Sequence, residues 1–173
     1  GWLSFTRNAR SVVAEVCEDG LQELDLDGAT LQGVVRYRGD AWLLTSAGIY
    51  ESSSADVHRV DLPRRSCHEL IELENEAWLL AADAAVRLRP GEPTVFETGP
   101  HRPSNVVRVN ECTWILTKQG DFFSEAGPAY RVETTRAQAV TPSQGGVSDV
   151  VNIDGTTWLL TRNGNLAGPL LKA

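Results

Sequence analysis

The chain contains no methionine, only three histidines and three cysteines in 173 residues, and no excess of positive charge. Its formal net charge is −7 at pH 7, whereas nucleic-acid binding requires a concentrated positive surface. Long apolar runs are missing too, because no stretch approaches the ~18–20 residues of a membrane-spanning helix. The composition therefore argues against nucleic acid as a partner and against a membrane span.

Catalytic and metal-binding motifs are also missing. The cysteines are odd in number and widely spaced, at Cys17, Cys67 and Cys112, which suits neither a disulfide framework nor a zinc site. We interpret them as small buried hydrophobic residues. The sequence has no nucleophile elbow, no Ser/His/Asp pattern, no metal-spaced histidines and no phosphate loop. It therefore predicts no metal and no cofactor, and an enzyme is the less favoured class.

The start of the chain lacks the features of a secretion signal. Residues 1–7 have neither the basic region nor the long apolar core of a signal peptide, and the compartment stays open. Because the chain has no methionine and starts inside a repeat, the sequence favours a trimmed or processed product.

What the chain does contain is a seven-residue pattern of tryptophan, two aliphatic residues, three variable positions and a small residue. Four copies occupy residues 42–48, 78–84, 114–120 and 158–164. A fifth, weaker copy at 3–9 aligns through Thr6, with Trp2 displaced one place ahead of the usual tryptophan position. The aligned positions 6, 45, 81, 117 and 161 are 39, 36, 36 and 44 residues apart, which indicates one small β-sheet per repeat.

The repeats predict a single domain, 1–173, with approximate units 1–32, 33–68, 69–104, 105–147 and 148–173. Each unit has room for four short strands joined by tight turns, and the first and last units are incomplete. In the fourth unit we expect the outer two strands at 121–124 and 130–133, and we expect loops at 99–105 and 135–148. No sustained helical pattern occurs.

A four-stranded sheet of this size cannot cover both of its faces, so consecutive copies must pack face to face. Radial packing makes the predicted fold class all-β, a β-propeller of about five four-stranded antiparallel blades. The tryptophans are interpreted as packing between blades rather than as sugar-stacking platforms. Because the first and last blades are incomplete, we expect either a ring with an irregular seam or an open arc that self-associates through its ends.

A polar column runs through the innermost strands. It is formed by one residue from each of four repeats, namely Arg36, Glu72, Arg108 and Asn152. We expect neighbouring members to pair, Arg36 with Glu72 and Glu72 with Arg108, because unpaired charges near a partly dry axis are costly. The alternative is a polar channel site for an ion or small ligand.

The copy at 42–50, Trp-Leu-Leu-Thr-Ser-Ala-Gly-Ile-Tyr, resembles the propeller repeats of two-component-regulator sensor proteins, which read Trp-[Ile/Leu]-Gly-Thr-x-x-Gly-Leu-Tyr. Leucine at 44, 80, 116 and 160 stands where those repeats usually have glycine. The resemblance covers nearly the whole chain. It implies a propeller that senses ligands outside the cytoplasm as part of a larger protein.

The sequence thus favours a non-catalytic ligand-binding or protein-interaction module. The alternatives are a carbohydrate-binding, lectin-like propeller and, less favoured, a propeller glycosidase or lyase. The loops between repeats differ in length and chemistry, which favours one asymmetric site over several equal ones.

In a propeller the loops between blades and the turns between second and third strands emerge on the same face. A basic face there would attract an anionic small molecule or an acidic protein surface. The alternative is a set of solvated loop charges with no partner. The predicted binding residues are Arg64, Arg65, His68, His101, Arg102, Lys118, Arg162 and Asn163.

Overall fold

A computed structural model describes the chain at residues 2–7, 10–18, 20–24, 26, 28–37, 40–53, 56–62, 66–89, 93–120, 124–143 and 145–168. Side chains are described from residue 12 onward, except at 17 and 37. These residues form strands and turns, with no helix among them. None of the described segments therefore provides a helix of the length and apolar character needed to span a membrane.

The strands form five antiparallel sheets, each built from consecutive strands. Sheet A contains β1 (Trp2–Arg7), β2 (Arg10–Cys17) and β3 (Gly20–Leu24). Sheet B contains β4 (Leu31–Tyr37), β5 (Asp40–Thr45), β6 (Gly48–Ser53) and β7 (Asp56–Val60). Sheet C contains β8 (Cys67–Leu73), β9 (Glu76–Ala81), β10 (Ala84–Leu88) and β11 (Thr94–Glu97).

Sheet D contains β12 (Arg102–Val109), β13 (Cys112–Gln119), β14 (Glu125–Val132) and β15 (Ala137–Val140). Sheet E contains β16 (Val147–Ile153), β17 (Thr156–Thr161) and β18 (Leu166–Ala167). The all-β prediction is confirmed, and sheets B, C and D have the four antiparallel strands that the repeats predicted.

Sheets B to E share one strand register. In each of them the repeated tryptophan lies opposite an aliphatic residue of the first strand, in the pairs Trp42–Val35, Trp78–Ile71, Trp114–Val107 and Trp158–Val151. Alternation along a strand then puts the tryptophan on one face, called here the tryptophan face, and the next residue on the other, called the aliphatic face.

The core lies between consecutive sheets. One hydrophobic cluster joins Trp42 of sheet B to Leu79 of sheet C, and the next joins Trp78 to Ile115 of sheet D. Further clusters join sheet A to sheet B and sheet D to sheet E. The tryptophan face of each sheet therefore packs on the aliphatic face of the sheet that follows it.

Three of the four aligned tryptophans are fully covered by this packing. Trp42, Trp78 and Trp114 are at most 1% exposed. Trp158, on sheet E, is only half-buried. The packing interpretation of the tryptophans therefore holds for sheets B, C and D.

The first hairpin departs from the sequence alignment. Trp2 lies opposite Glu15, as Trp42 lies opposite Glu51. Aligning the chain through Thr6 was therefore wrong by one place, which would exchange the two faces of the strand. The alignment failed because β1 continues for five residues after Trp2, whereas β5 continues for only three after Trp42.

The fourth repeat also differs from the prediction. Residues 130–133 were expected in an outermost strand, but 125–132 form the third strand and the fourth is 137–140, inside the expected loop 135–148. The expected loop 99–105 likewise contains the start of β12. Residues 121–123, which were expected in a strand, lie outside the described residues.

The polar column is paired differently from the expected pattern. Arg36 contacts Glu15 of the preceding sheet, and Arg108 contacts Glu74 at 3.0 Å. Asn152 donates to Asn110 at 2.5 Å. Glu74 and Asn110 hold the same position in tight turns, with φ of 46° and 49°. These turns project beside the first strand of the next sheet, so Arg108 and Asn152 each meet a turn of the preceding sheet rather than the equivalent column residue.

Candidate functional site

The first strands of sheets B to E carry a β-bulge at one shared position. The residue without a partner lies between Leu31 and Gly33, Cys67 and Glu69, Pro103 and Asn105, and Val147 and Asp149. Each bulge lies at the end of the sheet where the second and third strands turn and where the chain enters from the preceding sheet. We call this the loop end. Bulges re-aim side chains and are common beside binding sites.

The bulged residues divide into two chemical types. In sheets D and E they are serines whose hydroxyls donate to the opposing strand, Ser104 to the Leu116 carbonyl at 3.3 Å and Ser148 to the Leu160 carbonyl at 3.0 Å. In sheets B and C they are Gln32 and His68, which reach toward the space between sheets. The larger polar side chains thus occupy the bulges of two adjacent sheets.

His68 contacts the following sheet. Its Nε2 lies 3.1 Å from the Pro103 carbonyl oxygen, and Nε of Arg102 lies 3.4 Å from the same nitrogen. Burial, followed by the positive charge of Arg102, lowers the pKa of His68 below its usual 6.5, while the Pro103 carbonyl and Glu69 oppose this shift. The imidazole is therefore held neutral over a wider pH range than a free histidine.

His101 points into the fold rather than toward solvent. The Tyr130 hydroxyl donates to the Thr98 carbonyl at 2.7 Å, and Nδ1 of His101 lies 2.8 Å from the same hydroxyl oxygen. Because that hydroxyl proton is already engaged, Nδ1 carries a proton and donates. Burial raises the pKa of Tyr130. This cluster fixes the connection between sheets C and D.

Three other predicted binding residues, Lys118, Arg162 and Asn163, lie at the same loop end but apart from His68. Lys118 lies opposite Arg102 in the register of sheet D. Arg162 and Asn163 form an exposed turn of sheet E, and Arg162 pairs with Glu125 at 3.5 Å. Arg64 and Arg65 lie outside the described residues. Among the described members, the structure thus brings His68 and Arg102 into direct contact.

Acidic side chains share the loop end with these basic ones. Besides Glu125, the exposed residues Asp61, Asp83 and Glu97 lie at or just beyond strand ends there. The loop end therefore carries mixed charge, and any anionic ligand would be selected locally rather than by a uniformly basic face.

A groove opens at the loop end between sheets B and C. Its cavity volume is about 430 Å³. The floor is aliphatic, with Leu44, Ile49 and Leu62, and the walls carry hydrogen-bonding groups that come from the bulge, the turn, β7 and the connection to sheet C. The polar members of the lining are Gln32, Thr45, Ser46, Arg59, Asp61 and Ser66.

The side chain of Arg59 lies against Gly48, the first residue of β6. A Cβ atom at Gly48 would stand 3.3 Å from Nε of Arg59, so the glycine leaves room for the guanidinium beside it. The glycine also has φ of 139°, which other residues rarely adopt. Within the described part of the chain, no hydrogen bond or ion pair engages the side chains of Arg59 and Asp61.

The turn beside the groove is braced by its own hydroxyls. Thr45 Oγ1 donates to the Gly48 carbonyl at 2.9 Å and accepts from the Ala47 amide at 3.1 Å. Ser46 Oγ accepts from the Thr30 amide at 2.9 Å, and the Ser46 amide donates to the Thr30 carbonyl. These bonds tie the turn to the chain that enters sheet B, which makes the groove wall rigid.

A second groove, of about 740 Å³, lies at the opposite end between sheets C and D. Its arginines are engaged within the protein. One carboxylate oxygen of Glu76 lies 4.0 Å from Arg87 and 3.7 Å from Arg89, and the other lies 3.7 Å from Arg108. Because one carboxylate serves three guanidinium groups, this groove is organised as an internal ion-pair network.

The described residues contain no cluster of three or more histidine, cysteine or acidic side chains able to hold a metal ion. Cys67 and Cys112 are half-buried at the edges of two core clusters. Nothing is described of the Cys17 side chain.

Sequence reasoning missed Gln32, Arg59 and Asp61, which line the groove. The glycine at 48 was interpreted only as a turn residue, and its closeness to Arg59 was not predicted. The bulge had no visible signal, because it follows from the pairing of two strands rather than from either strand alone.

No protein-family model matches the chain, and no curated protein matches it. Solved structures do resemble it. Apo AztD from Citrobacter koseri is 13% identical with a TM-score of 0.53, over 96% of this chain and 59% of that one.

The extracellular domain of BT4673 from B. thetaiotaomicron is represented by two similar structures. In one, described as a hybrid two component system, identity is 14% and the TM-score 0.54, over 90% of this chain and 25% of that one. In the other, described as a one component system, identity is 14% and the TM-score is 0.54, over 96% of this chain and 29% of that one. This chain thus spans less than two thirds of each structure, and at such identities the likeness shows the shared all-β fold.

Proposed function

We propose that the five sheets are blades of a β-propeller and that residues 1–173 form a single non-catalytic binding module. Three observations support this. The sheets follow one another along the chain, the tryptophan face of one packs on the aliphatic face of the next, and four of them share one register. Radial stacking is the arrangement in which such sheets cover one another.

The module serves, in this proposal, as the sensor part of a larger protein. The extracellular domain of BT4673 is described as belonging to a two component or one component system, and this chain corresponds to 25–29% of those structures. A sensor domain binds its ligand and passes the change to another domain, which accords with a chain whose polar groups converge on a groove.

The groove between sheets B and C is the proposed ligand site. The observation that carries this is the pair Arg59 and Asp61, which line the groove with no partner in the described part of the chain. Both side chains are exposed, and a charge-assisted hydrogen bond from the guanidinium to an anionic group of a ligand would stabilise the complex. The volume of about 430 Å³ lies within the range of small-molecule sites.

The ligand that fits this lining is a small polar molecule with one anionic group. Arg59 would bind the anion, and Asp61, Gln32 and Ser46 would accept from or donate to its hydroxyl or amine groups. The aliphatic floor would cover its carbon skeleton. Arg102 and Lys118 lie opposite each other at the loop end of sheet D and would attract the anion toward the groove.

A thermal-shift screen tests the site. The panel contains dicarboxylates, amino acids and sugar phosphates, and the best stabiliser is titrated by calorimetry. Arg59→Ala is expected to raise its Kd at least about tenfold, or ~1.4 kcal/mol. The matched control is Arg89→Ala in the groove at the opposite end, which should leave the Kd unchanged. If no compound stabilises the protein, or if both variants weaken binding equally, the proposed site is wrong.

A second arm tests the loop charges. Charge reversal at Arg64, Arg65 and Arg102 together should weaken binding of the same compound more at low salt than at high salt, because exposed charges are screened by salt. The melting temperature should hardly change. Equal binding at low ionic strength would place the site away from these residues.

Carbohydrate binding is the alternative function. Sugar-binding sites stack sugars on exposed aromatic rings, but Trp42, Trp78 and Trp114 are buried between sheets and cannot do so. A glycan array distinguishes the two classes, since a neutral glycan that binds with Arg59→Ala as well as with the wild type would favour the lectin-like function.

A further inference from the structure

The groove between sheets B and C separates charge from apolar surface. In the segment that forms one of its walls, Arg59 and Asp61 are exposed. Val60 and Leu62 are half-buried and pack against the core cluster that contains Trp42. Charged and aliphatic residues thus alternate along this segment, which leaves the charges at the mouth of the groove and the aliphatic groups toward the core.

The two charges of this wall have opposite signs but do not pair with each other. In the part of the chain that the structure describes, neither the Arg59 nor the Asp61 side chain takes part in an ion pair or a hydrogen bond. Opposite charges do meet elsewhere at the loop end, as Arg162 and Glu125 do at 3.5 Å. A cation and an anion that stand close but apart are complementary to a ligand that carries both charges.

The guanidinium of Arg59 has a defined place at the mouth of the groove. Its Cζ and Nη2 lie 3.7 Å and 3.4 Å from the position that a Cβ atom of Gly48 would occupy, so the group lies along the turn. That turn is braced by the Thr45 hydroxyl. An arginine held in this way can bind a carboxylate through two parallel hydrogen bonds.

The spacing of the two charges limits the ligand. Arg59 lies in β7 and Asp61 directly follows it. Residues two apart in an extended chain have Cα atoms ~6.6 Å apart, and each charge-assisted hydrogen bond spans ~2.8 Å. A small ligand that contacts both side chains therefore has its own anionic and cationic groups close together.

The floor of the groove limits the ligand further. It is formed by aliphatic side chains, Leu44, Ile49 and Leu62, and both charges lie to one side of it. The ligand that fits has two charged groups at one end and an aliphatic group at the other. An α-amino acid has this form, because its ammonium and carboxylate share one carbon atom. An ω-amino acid would place its carbon chain between the charges and away from the floor.

We propose that this groove binds free α-amino acids with aliphatic side chains. Arg59 binds the carboxylate, Asp61 accepts hydrogen bonds from the ammonium, and Leu44 and Ile49 contact the side chain. This ligand class rests on the proposed function, because it assigns the ligand of the same groove.

Calorimetry with four compounds tests the ligand class. L-Leucine is compared with isocaproate, which lacks the ammonium, and with isoamylamine, which lacks the carboxylate. Each should have a Kd at least about tenfold above that of leucine, because one charge-assisted contact is lost. L-Alanine should also bind at least about tenfold more weakly, since each buried methylene strengthens binding about fourfold.

Two variants separate the roles of the charged residues. Asp61→Asn should raise the Kd of leucine at least about tenfold and leave that of isocaproate unchanged, because isocaproate has no ammonium. Arg59→Gln should weaken leucine and isocaproate but not isoamylamine. The matched control is Asp56→Asn at the other end of β7, where the carboxylate accepts from the Val57 amide at 2.8 Å. It removes the same charge and should change none of the Kd values.

The outcomes distinguish this ligand class from the site itself. If dicarboxylates or sugar phosphates bind through Arg59 and leucine does not, the amino-acid class is wrong and the proposed site stands. If no compound binds, both are wrong. The amino-acid class is also overturned if isocaproate binds as tightly as leucine, or if Asp61→Asn weakens the two equally. A loss of leucine binding in Asp56→Asn equal to that in Asp61→Asn would reveal a general charge effect and overturn it as well.

Discussion

The indole Nε1 of Trp78 donates to Oε2 of Glu76 at 3.3 Å, whereas the equivalent nitrogens of Trp42 and Trp114 are buried without an acceptor among the described residues. Glu76 also lies within 4.0 Å of three arginines. Sheet C thus carries a carboxylate at a place where sheet D carries Cys112.

Glu76→Gln is expected to destabilise the protein by about 1–3 kcal/mol. The amide oxygen can still accept from Trp78, but the charge that serves Arg87, Arg89 and Arg108 is lost. Urea unfolding measures the effect. The control is Glu133→Gln, whose exposed pair with Arg136 at 2.5 Å should contribute less than about 1 kcal/mol. Equal losses for the two variants would contradict the shared role of Glu76.

Cys112→Glu is expected to stabilise the protein by about 1 kcal/mol. Cys112 pairs with Val109 as Glu76 pairs with Leu73, and Nη2 of Arg131 lies 3.7 Å from its sulfur. A carboxylate there would accept from the Trp114 indole and pair with Arg131. Urea unfolding of Cys112→Gln separates the acceptor from the charge. A Cys112→Glu variant less stable than Cys112→Ala would show that the site cannot accept the carboxylate.

The regular part of the fold could be predicted because tryptophan followed by two aliphatic residues marks the second strand of each of sheets B to E. The third strand of sheet D was missed because it contains Gly127 and Pro128, which are poor strand formers. The structure accommodates them opposite Thr117, whose hydroxyl donates to the Pro128 carbonyl at 2.6 Å. A Cβ atom at Gly127 would stand 2.5 Å from that hydroxyl.

The candidate site was less predictable than the fold. Loop position suggested which end of the sheets could bind a ligand, and His68 and Arg102 do meet there. The groove itself depends on a bulge at Gln32 and on the distance between Gly48 and Arg59, which arise from the pairing of strands and the packing of side chains. Neither leaves a pattern in one sequence.

Trp78→Ala and Trp158→Ala should differ in cost. Trp78 is 0% exposed and stacks on Phe96 with ring centroids 5.5 Å apart, so its removal should cost about 3–5 kcal/mol. Trp158 is half-buried, so its removal should cost less than half of that. Urea unfolding measures both. Near-native stability of Trp78→Ala would contradict packing between sheets.

Stability should depend on the titration of His68, whose folded-state pKa lies below 6.5. Between the folded-state pKa of His68 and its unfolded-state pKa of about 6.5, the unfolded chain binds more protons than the folded one. The free energy of unfolding therefore rises with pH in this window, and the contribution of His68 to stability is lost as pH falls below about 6.5. His68→Gln should flatten this part of the profile, measured by urea unfolding between about pH 5 and 7.5. Arg102→Gln should shrink the same step, because it removes the positive charge that lowers this pKa but leaves the burial. An unchanged profile in His68→Gln would assign the dependence to another group.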